Sequence, residues 1–286
     1  MATSTRTTHS DAPPRATEPL PVVRAGSATA AAPAPSHANA RLAVVQEQAR
    51  QLATSAIFVR VVVALLAIDA VLIVLHTVRM LLRIFKSEVR IFESEMFSIS
   101  YDFTYGEIFG YLKSIVIASC FLTSYFRARA PIFAALGFAF VVILLDDSLQ
   151  IHETFGERLA AALALGPMAG LQPHDLGELI VWSGLGLVVV AVLAFGFLRS
   201  DALSQNVALI FLGLLAVLIF FAVGADALHG MLSGLFFGAR FISGVLEDGG
   251  EMVTLSVIAA AAVAVAWGCC SSSLARPGPS SGRPLA

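Results

Sequence analysis

Residues 131–153 read PIFAALGFAFVVILLDDSLQIHE. Fifteen residues without a charged side chain lead directly into Asp146 and Asp147, and a His152–Glu153 pair follows. A mainly apolar stretch of about 20 residues is the length of a helix that crosses a bilayer. Ionisable groups in such a helix are costly, so by default they mark a functional site. The stretch therefore predicts a transmembrane helix that carries a polar site at its C-terminal end.

The composition extends this interpretation to the whole chain. Of its 286 residues, 57% are hydrophobic and 13% are charged, whereas soluble domains are roughly 45–50% apolar and about 25% charged. We therefore expect an all-α, polytopic integral membrane protein whose six transmembrane helices run up and down through the bilayer. The apolar runs place these helices at about residues 57–82, 107–126, 131–152, 177–198, 205–231 and 245–268.

The segments around these helices have compositions of their own. The third helix is predicted to continue beyond the membrane to about Leu163. Residues 1–54, rich in Ala, Pro, Ser and Thr, and residues 271–286 are predicted to be disordered tails because they lack a hydrophobic period. Residues 55–270 then form the transmembrane domain. Residues 84–106 are too polar to cross a membrane and too aromatic for a simple linker, so they predict an interfacial amphipathic helix or a cap over the bundle mouth.

The charge distribution indicates partners and location. The net charge is −2 and no basic stripe is present, so no nucleic-acid partner is expected, and the partner that the composition implies is the lipid bilayer. Abundant Ala, with Arg far in excess of Lys, indicates a bacterial, GC-rich genome. Lys and Arg near the helix ends favour a cytoplasmic N-terminus in a multi-pass protein of the cell membrane, although Arg83, Lys86 and Arg90 in the first outer loop disagree.

The carboxylates and imidazoles of the six apolar runs nearly all fall toward one membrane face, and Asp69 lies deeper. Residues three, four, seven or eleven positions apart share one face of a helix, so these side chains form a narrow polar seam on each of four helices. On a continuous third helix, Asp146 and Glu153 share a seam, whereas His152 lies about 120° around the helix. We therefore expect Asp146 and Glu153 to be partners, His152 to reach a neighbouring helix, and the seams to converge in one wet pocket at the extracytoplasmic face.

A metal site is the sharpest interpretation of this pocket. Carboxylate oxygens and imidazole nitrogens suit Fe, Mn or Zn, and the set contains no thiol. Asp226 and His229 have the acid-x-x-His spacing found in di-iron helix bundles, so a di-metal site is one form of the hypothesis. The candidate metal ligands are Asp146, His152, Glu178, Asp226, His229, Glu247 and Glu251, the candidate catalytic residues are Glu153 and Asp147, and two further polar candidates are Asp69 and His76.

Three functions fit these residues. In the first, one or two divalent metals support hydrolysis or oxidation of a lipid-like substrate, with Glu153 moving the proton. In the second, the same residues relay protons or small cations through a transporter or channel, with Asp69 as the deep station. In the third, the chain is a structural membrane subunit in which Glu178 caps its helix, and Asp226 and Glu247 pair with arginines. The inner halves of the last two helices are almost wholly apolar, which favours the first function. Enzyme activity and oligomeric state stay open at this point.

Overall fold

The computed structural model of the chain describes residues 37–85, 94–101, 103–168, 170–225 and 239–268. The described residues form helices and contain no β-strand. A short 3-10 helix covers Glu95–Phe97, and a π-helical turn covers Phe220–Ala225. The α-helices of the described residues are α1 (His37–Ala53), α2 (Ala56–Ile84), α3 (Tyr105–Ala128), α4 (Pro131–Ser148), α5 (Ile151–Ala162), α6 (Pro173–Leu198), α7 (Ala202–Ile219) and α8 (Ala239–Ala266).

Six of these helices, namely α2, α3, α4, α6, α7 and α8, are long and apolar enough to cross a membrane. This finding confirms the prediction of an all-α, multi-pass membrane protein. Large apolar side chains such as Val63, Val71 and Leu187 are exposed on the outside of the bundle, where a lipid-facing surface requires them. The short helix α5 lies between the third and fourth spans.

The last span, α8, is the central helix of the bundle. Of the membrane-spanning part of α8, 72% is buried inside the protein, whereas only 11% of the spanning part of α2 and of α6 is buried. The small residues of its Ala259–Ala262 run are all buried, because alanine lets neighbouring helices approach closely. Around it, Phe121 of α3 packs against Phe140 of α4 and Phe211 of α7, with ring centroids 6.1 and 4.8 Å apart. This apolar core occupies the half of the bundle where α3 ends and α4 begins.

The third predicted helix is interrupted, so the prediction of one helix continuing to about Leu163 is wrong. α4 ends at Ser148, and α5 begins at Ile151. Between them Gln150 has φ 49° and ψ 45°, a left-handed conformation that ends the right-handed helix. The buried carboxylate of Asp146 accepts the backbone N–H of His152 at 3.0 Å. It thereby replaces the helical partner that this N–H loses at the break.

The structure also differs from the sequence-based prediction within the N-terminal tail, because His37–Ala53 forms α1. This helix packs against α7, and its Leu52 is buried. Arg41 donates Nε to Asn206 and Nη2 to Gln205, both at 3.0 Å. Local sequence periodicity cannot indicate such a contact, because Arg41 and Asn206 are 165 residues apart in the chain. The remainder of the two predicted tails, residues 1–36 and 271–286, lies outside the described residues.

Candidate metal centre in the polar cavity

A cavity of about 590 Å³ lies at the end of the bundle where α3, α6 and the polar end of α8 meet. Its walls bring together acids and imidazoles from separate helices, as the sequence pattern predicts. Nine carboxylates and two histidines line it, and no lysine or arginine of the described chain does. Its ionisable lining residues are Glu107, Asp147, His152, Glu153, Glu157, His174, Asp175, Glu178, Glu247, Asp248 and Glu251.

The break between α4 and α5 creates a compact cluster of side chains that could hold a metal ion. One carboxylate oxygen each from Asp146 and Asp147 and one ring nitrogen of His152 lie within 4.8 Å of one another. Helical phase excludes this meeting on a continuous helix, and the expected Asp146–Glu153 partnership is replaced by a contact between Asp146 and His152. The second carboxylate oxygen of Asp146 lies 3.1 Å from Nδ1 of the His152 ring. Asp146 therefore holds both the backbone and the ring of His152.

This contact also governs the charge of the imidazole. Burial by itself lowers the pKa of His152, but the hydrogen bond and charge of Asp146, together with the charges of Glu153 and Asp147, raise that pKa above its ordinary value. With Nδ1 directed at Asp146, the other ring nitrogen, Nε2, lies 3.9 Å from Oε1 of Glu153. The Trp182 ring of α6 packs 5.6 Å from the imidazole, centroid to centroid. Nε2 is therefore the nitrogen that remains for a ligand.

Close contact between α5 and α6 places Glu178 on the cavity wall. A Cβ atom added to Gly156 would lie 2.7 Å from the backbone nitrogen of Glu178, so only glycine fits there. Gly177 on α6 faces the Gly156 carbonyl in the same contact. α6 begins earlier than predicted, at Pro173, with a capping box between Gln172 and Asp175. Helix capping is thus performed by Asp175, while Glu178 lines the cavity one turn later.

The opposite side of the cavity carries hydrogen-bonded carboxylates. Glu107 accepts hydrogen bonds from the Tyr111 hydroxyl and from the Phe103 backbone N–H. The same hydroxyl lies 3.4 Å from the Asp147 carbonyl oxygen, which links α3 to α4. Ser100 donates its hydroxyl to Asp248 of α8. These bonds fix two walls of the cavity relative to each other.

The sequence-predicted site residues fall into three groups in the structure. Asp147, His152, Glu153, Glu178, Glu247 and Glu251 line the cavity, and Asp146 lies buried directly behind His152. Asp226 and His229 lie outside the described residues. Asp69 and His76 do not line the cavity.

Asp69 belongs to a buried ion pair. Its carboxylate lies 3.1 Å from Nζ of Lys113, and the two side chains are 1% and 2% exposed. Lys113 also donates to the Met252 carbonyl oxygen at 2.9 Å and contacts the Ser256 hydroxyl at 3.3 Å, while Ser256 donates to the other oxygen of Asp69 at 2.5 Å. The group joins α2, α3 and α8 deep in the bundle, with every charge paired. Its geometry is that of a structural clamp.

His76 holds the segment that borders the cavity. Its Nδ1 accepts the backbone N–H of Ile99 at 3.1 Å and lies 3.4 Å from the Ser98 hydroxyl. Ile99 and the two residues after it line the cavity. Of the segment 84–106, in which an interfacial helix or cap is predicted, residues 86–93 and 102 lie outside the described residues. The described part contains one turn of 3-10 helix.

The sequence pattern placed Glu107 among the carboxylates of the polar membrane face, although not among the candidate ligands, and it did not single out Tyr111, Trp182 or Lys113. Helical spacing was the available signal for two of them, because Tyr111 follows Glu107 by four residues and Trp182 follows Glu178 by four. Lys113 was visible as a lysine within an apolar run. Its pairing with Asp69, 44 residues away, depends on which helices are neighbours.

Comparison with known proteins identifies a family. A family described as a domain of unknown function, DUF8692, matches residues 103–265. No curated protein and no solved structure matches the chain. The family match covers more than half of the chain and runs from the turn before α3 into the last turns of α8, so it includes every α-helix that lines the cavity. The chain therefore belongs to the DUF8692 family.

Proposed function

We propose that the cavity binds a divalent transition metal, with Fe, Mn and Zn as candidates. The chain would then be a membrane-embedded metalloprotein that hydrolyses or oxidises a lipid-like substrate. The observation that carries this proposal is the Asp146–Asp147–His152 cluster, whose ligand atoms lie within 4.8 Å of one another. Oxygen and nitrogen donors in this combination are ligands that these metals accept.

The electrostatics of the cavity support a cation. Nine carboxylates line it without a lining lysine or arginine in the described chain. Asp147 lies close enough to Glu251 and Glu107 for their charges to repel. Such repulsion is stronger inside a protein than in water, because the effective dielectric constant is lower. A divalent cation among these groups would relieve it.

In this proposal the two aspartates have different roles. Asp147 and His152, both of which line the cavity, would bind the metal, the ring through Nε2, and Glu178, Glu247 and Glu251 would supply further carboxylates from α6 and α8. Asp146 acts as the positioning residue, because both of its oxygens already contact His152. Metal-binding histidines usually donate the second ring N–H to a carboxylate in this way.

The surroundings of the cluster suit chemistry on an amphiphilic molecule. A bound metal supplies Lewis acidity and makes a bound water more acidic. Glu153 lies beside the ligand nitrogen of His152 and takes the role of proton carrier. Leu171, Leu179 and Val223 line the same cavity, so a hydrocarbon portion of a substrate would find apolar contacts beside the polar centre.

A cation or proton relay is the second candidate function, supported by the attraction between the charges of Lys113 and Glu251. Lys113 in turn is bonded to Asp69 and Ser256, so these charges extend from the cavity into the bundle. Beyond them Phe121, Phe133 and Phe140 fill the bundle, so in the described part of the chain the polar groups do not continue through the core. The metal centre is therefore the better supported function.

Metal content tests the proposal. We expect protein purified in detergent without chelator to carry about one or two equivalents of a transition metal, measured by elemental mass spectrometry. Asp147→Asn and His152→Gln should each lose most of it, whereas Asp201→Asn, which changes an exposed carboxylate outside the cavity, should retain it. Trace metal in the wild-type protein, or equal content in all four proteins, would contradict the proposal.

Flux measurements separate the two functions. In liposomes, Asp69→Asn should stop proton or cation flux if Asp69 is a relay station. We expect no flux above empty liposomes for either the wild-type protein or this variant. Wild-type flux that Asp69→Asn abolishes would replace the metal centre by the relay.

A further inference from the structure

A second cavity lies on the lipid-facing side of the bundle, far from the metal-centre cavity. Its volume is about 340 Å³, and it lies between α3 and the last residues of α8. Ile115, Val116, Ser119 and Thr123 of α3 form one wall, and Arg127 and Trp267 lie at its end. We call it the α3–α8 groove. Glu107, which lines the first cavity, is 20 residues from Arg127, or about 30 Å along the helix.

The dimensions of this groove match one leaflet of a bilayer. From Ile115 to Arg127 the helix rises about 18 Å, and half of the hydrocarbon core of a bilayer is about 15 Å. Ile115 and Val116 are exposed, and Ser119 and Thr123 are small, so the wall is an open apolar channel along α3. Thr123 donates its hydroxyl to the Ser119 carbonyl, which removes this polar group from the lipid.

The end of the groove carries a fixed positive charge. Arg127 donates Nη1 to the carbonyl oxygen of Ala266, one of the carbonyl groups left without a helical partner at the end of α8. This bond holds the guanidinium at the groove and leaves other N–H donors for a ligand. No carboxylate lines the groove among the described residues. Trp267, 72% exposed, lies at the same level, where aromatic side chains mark a membrane–water interface.

We propose that the α3–α8 groove is a binding site for an anionic phospholipid, with one acyl chain along Ile115–Thr123 and the headgroup phosphate at Arg127. Charge complementarity and the length of the channel identify this occupant: a neutral lipid would leave the guanidinium without an anion, and a free phosphate would leave the channel empty. Basic pockets between transmembrane helices bind anionic lipid headgroups by this chemistry. The site depends on the membrane-spanning fold and is independent of the proposed metal chemistry.

The two tryptophans of the chain allow a direct test. Trp182 lines the metal-centre cavity, so Trp182→Phe leaves Trp267 as the single reporter in the groove. This protein is reconstituted into phosphatidylcholine vesicles that contain a small fraction of brominated phosphatidylglycerol or of brominated phosphatidylcholine with the same acyl chains. We expect half-maximal quenching of Trp267 at an about fivefold lower fraction of the anionic lipid. Added unbrominated phosphatidylglycerol should reverse this quenching, and unbrominated phosphatidylcholine should not.

Matched variants locate the charge that is responsible. In the Trp182→Phe background, Arg127→Gln should abolish the preference, whereas Arg129→Gln, which removes a nearby exposed charge outside the groove, should keep it. Equal quenching by the two brominated lipids would overturn the proposal, and so would a preference that survives in Arg127→Gln. Quenching by neither lipid would indicate a second copy of the chain over the groove and would overturn it as well. The competition measurement needs no arginine variant, so it decides even if Arg127→Gln does not fold.

Discussion

Lys113 and Asp69 show how single charged side chains are accommodated deep in an apolar bundle. Each is buried, each neutralises the other, and Ser256 and the Met252 carbonyl complete the hydrogen bonds. Removing one member of a buried pair leaves an uncompensated charge, whereas replacing both by apolar residues of similar size is often neutral. Comparing a single with a double substitution therefore separates the attraction within the pair from the cost of burying one charge alone.

We predict that Lys113→Met lowers the free energy of unfolding by about 3–5 kcal/mol, because it leaves the Asp69 carboxylate buried without its cation. Replacing Asp69 by Leu in the same protein should restore most of this loss. Unfolding in mixed micelles, followed by circular dichroism, measures both variants. Equal stability of wild type and Lys113→Met would show that the pair is not a structural clamp.

His152 gives the proposed metal site a defined pH dependence. Its pKa is raised in the folded protein, so the protonated ring stabilises the metal-free fold below its ordinary pKa, and this contribution is lost as the pH rises through the folded value. The charged groups that act on it are Asp146 and Asp147 of α4, Glu153 of α5, Glu178 of α6 and Glu251 of α8. A metal competes with the proton on the same ring.

We therefore predict that metal affinity falls by about tenfold per pH unit once the pH is below the pKa of His152. Competition with a chromophoric chelator between about pH 6 and pH 8.5 measures this slope, since the range brackets the ordinary histidine value and its upward shift. In His152→Gln the slope should be much shallower, with weaker binding throughout. A slope that is unchanged in the variant would remove His152 from the ligands.

Two features at the level of helices build the site: the break between α4 and α5, and the close packing of α5 on α6. The break turns the chain so that Asp146, Asp147 and His152 meet. The packing places Glu178 beside them, and it depends on Gly156, because a side chain there would collide with the backbone of the next helix. Position 156 has the spacing of the second histidine in an H-E-x-x-H motif, and the glycine found there serves helix contact.

We predict that Gly156→Ala destabilises the protein by about 1–3 kcal/mol, because its methyl group forces α5 and α6 apart. The movement of Glu178 should also weaken metal binding. Gly184→Ala is the matched control, since a Cβ atom there meets nothing within 4 Å, and alanine is the better helix former. Thermal unfolding and metal content are measured on both proteins. A Gly156→Ala protein as stable as Gly184→Ala would contradict the proposed role of the α5–α6 contact.

The molecule as a whole divides into a polar end and an apolar end. The cavity concentrates acidic groups at one end, and buried phenylalanines fill the other. A fold of this kind carries electrostatic repulsion in its metal-free form, which a bound cation would offset. Binding to the folded state alone stabilises a protein by about 2.7 kcal/mol when the free ligand is at 100 times its dissociation constant.

We predict that chelator treatment lowers the unfolding temperature and that adding back the metal restores it. Glu251→Gln removes one of the repelling carboxylates, so the chelated variant should unfold at a higher temperature than the chelated wild type. Adding metal should raise the unfolding temperature of this variant by less than it raises that of the wild type. A chelated wild type that is as stable as the metal-loaded protein would argue against a metal in the cavity.

The sequence by itself determined the fold class and the end of the bundle at which the polar residues gather. Helices that cross a bilayer must be apolar along about 20 residues, and such a run can be recognised from consecutive residues of the sequence. The same reasoning brought Glu178 and Glu251 toward one end of the bundle, because up-and-down helices alternate direction. These are statements about single helices and their order, which local composition can carry.

Only the tertiary structure decided which side chains touch. The left-handed Gln150 breaks a helix that periodicity continues, so Asp146 meets His152 instead of Glu153. Lys113 forms an ion pair with Asp69, and Arg41 of α1 donates a hydrogen bond to Asn206 of α7. Both contacts join residues that are far apart in the chain. Such contacts depend on which helices are neighbours and on one backbone angle. Hydrophobic periodicity specifies neither, because it reports only which face of a helix avoids water.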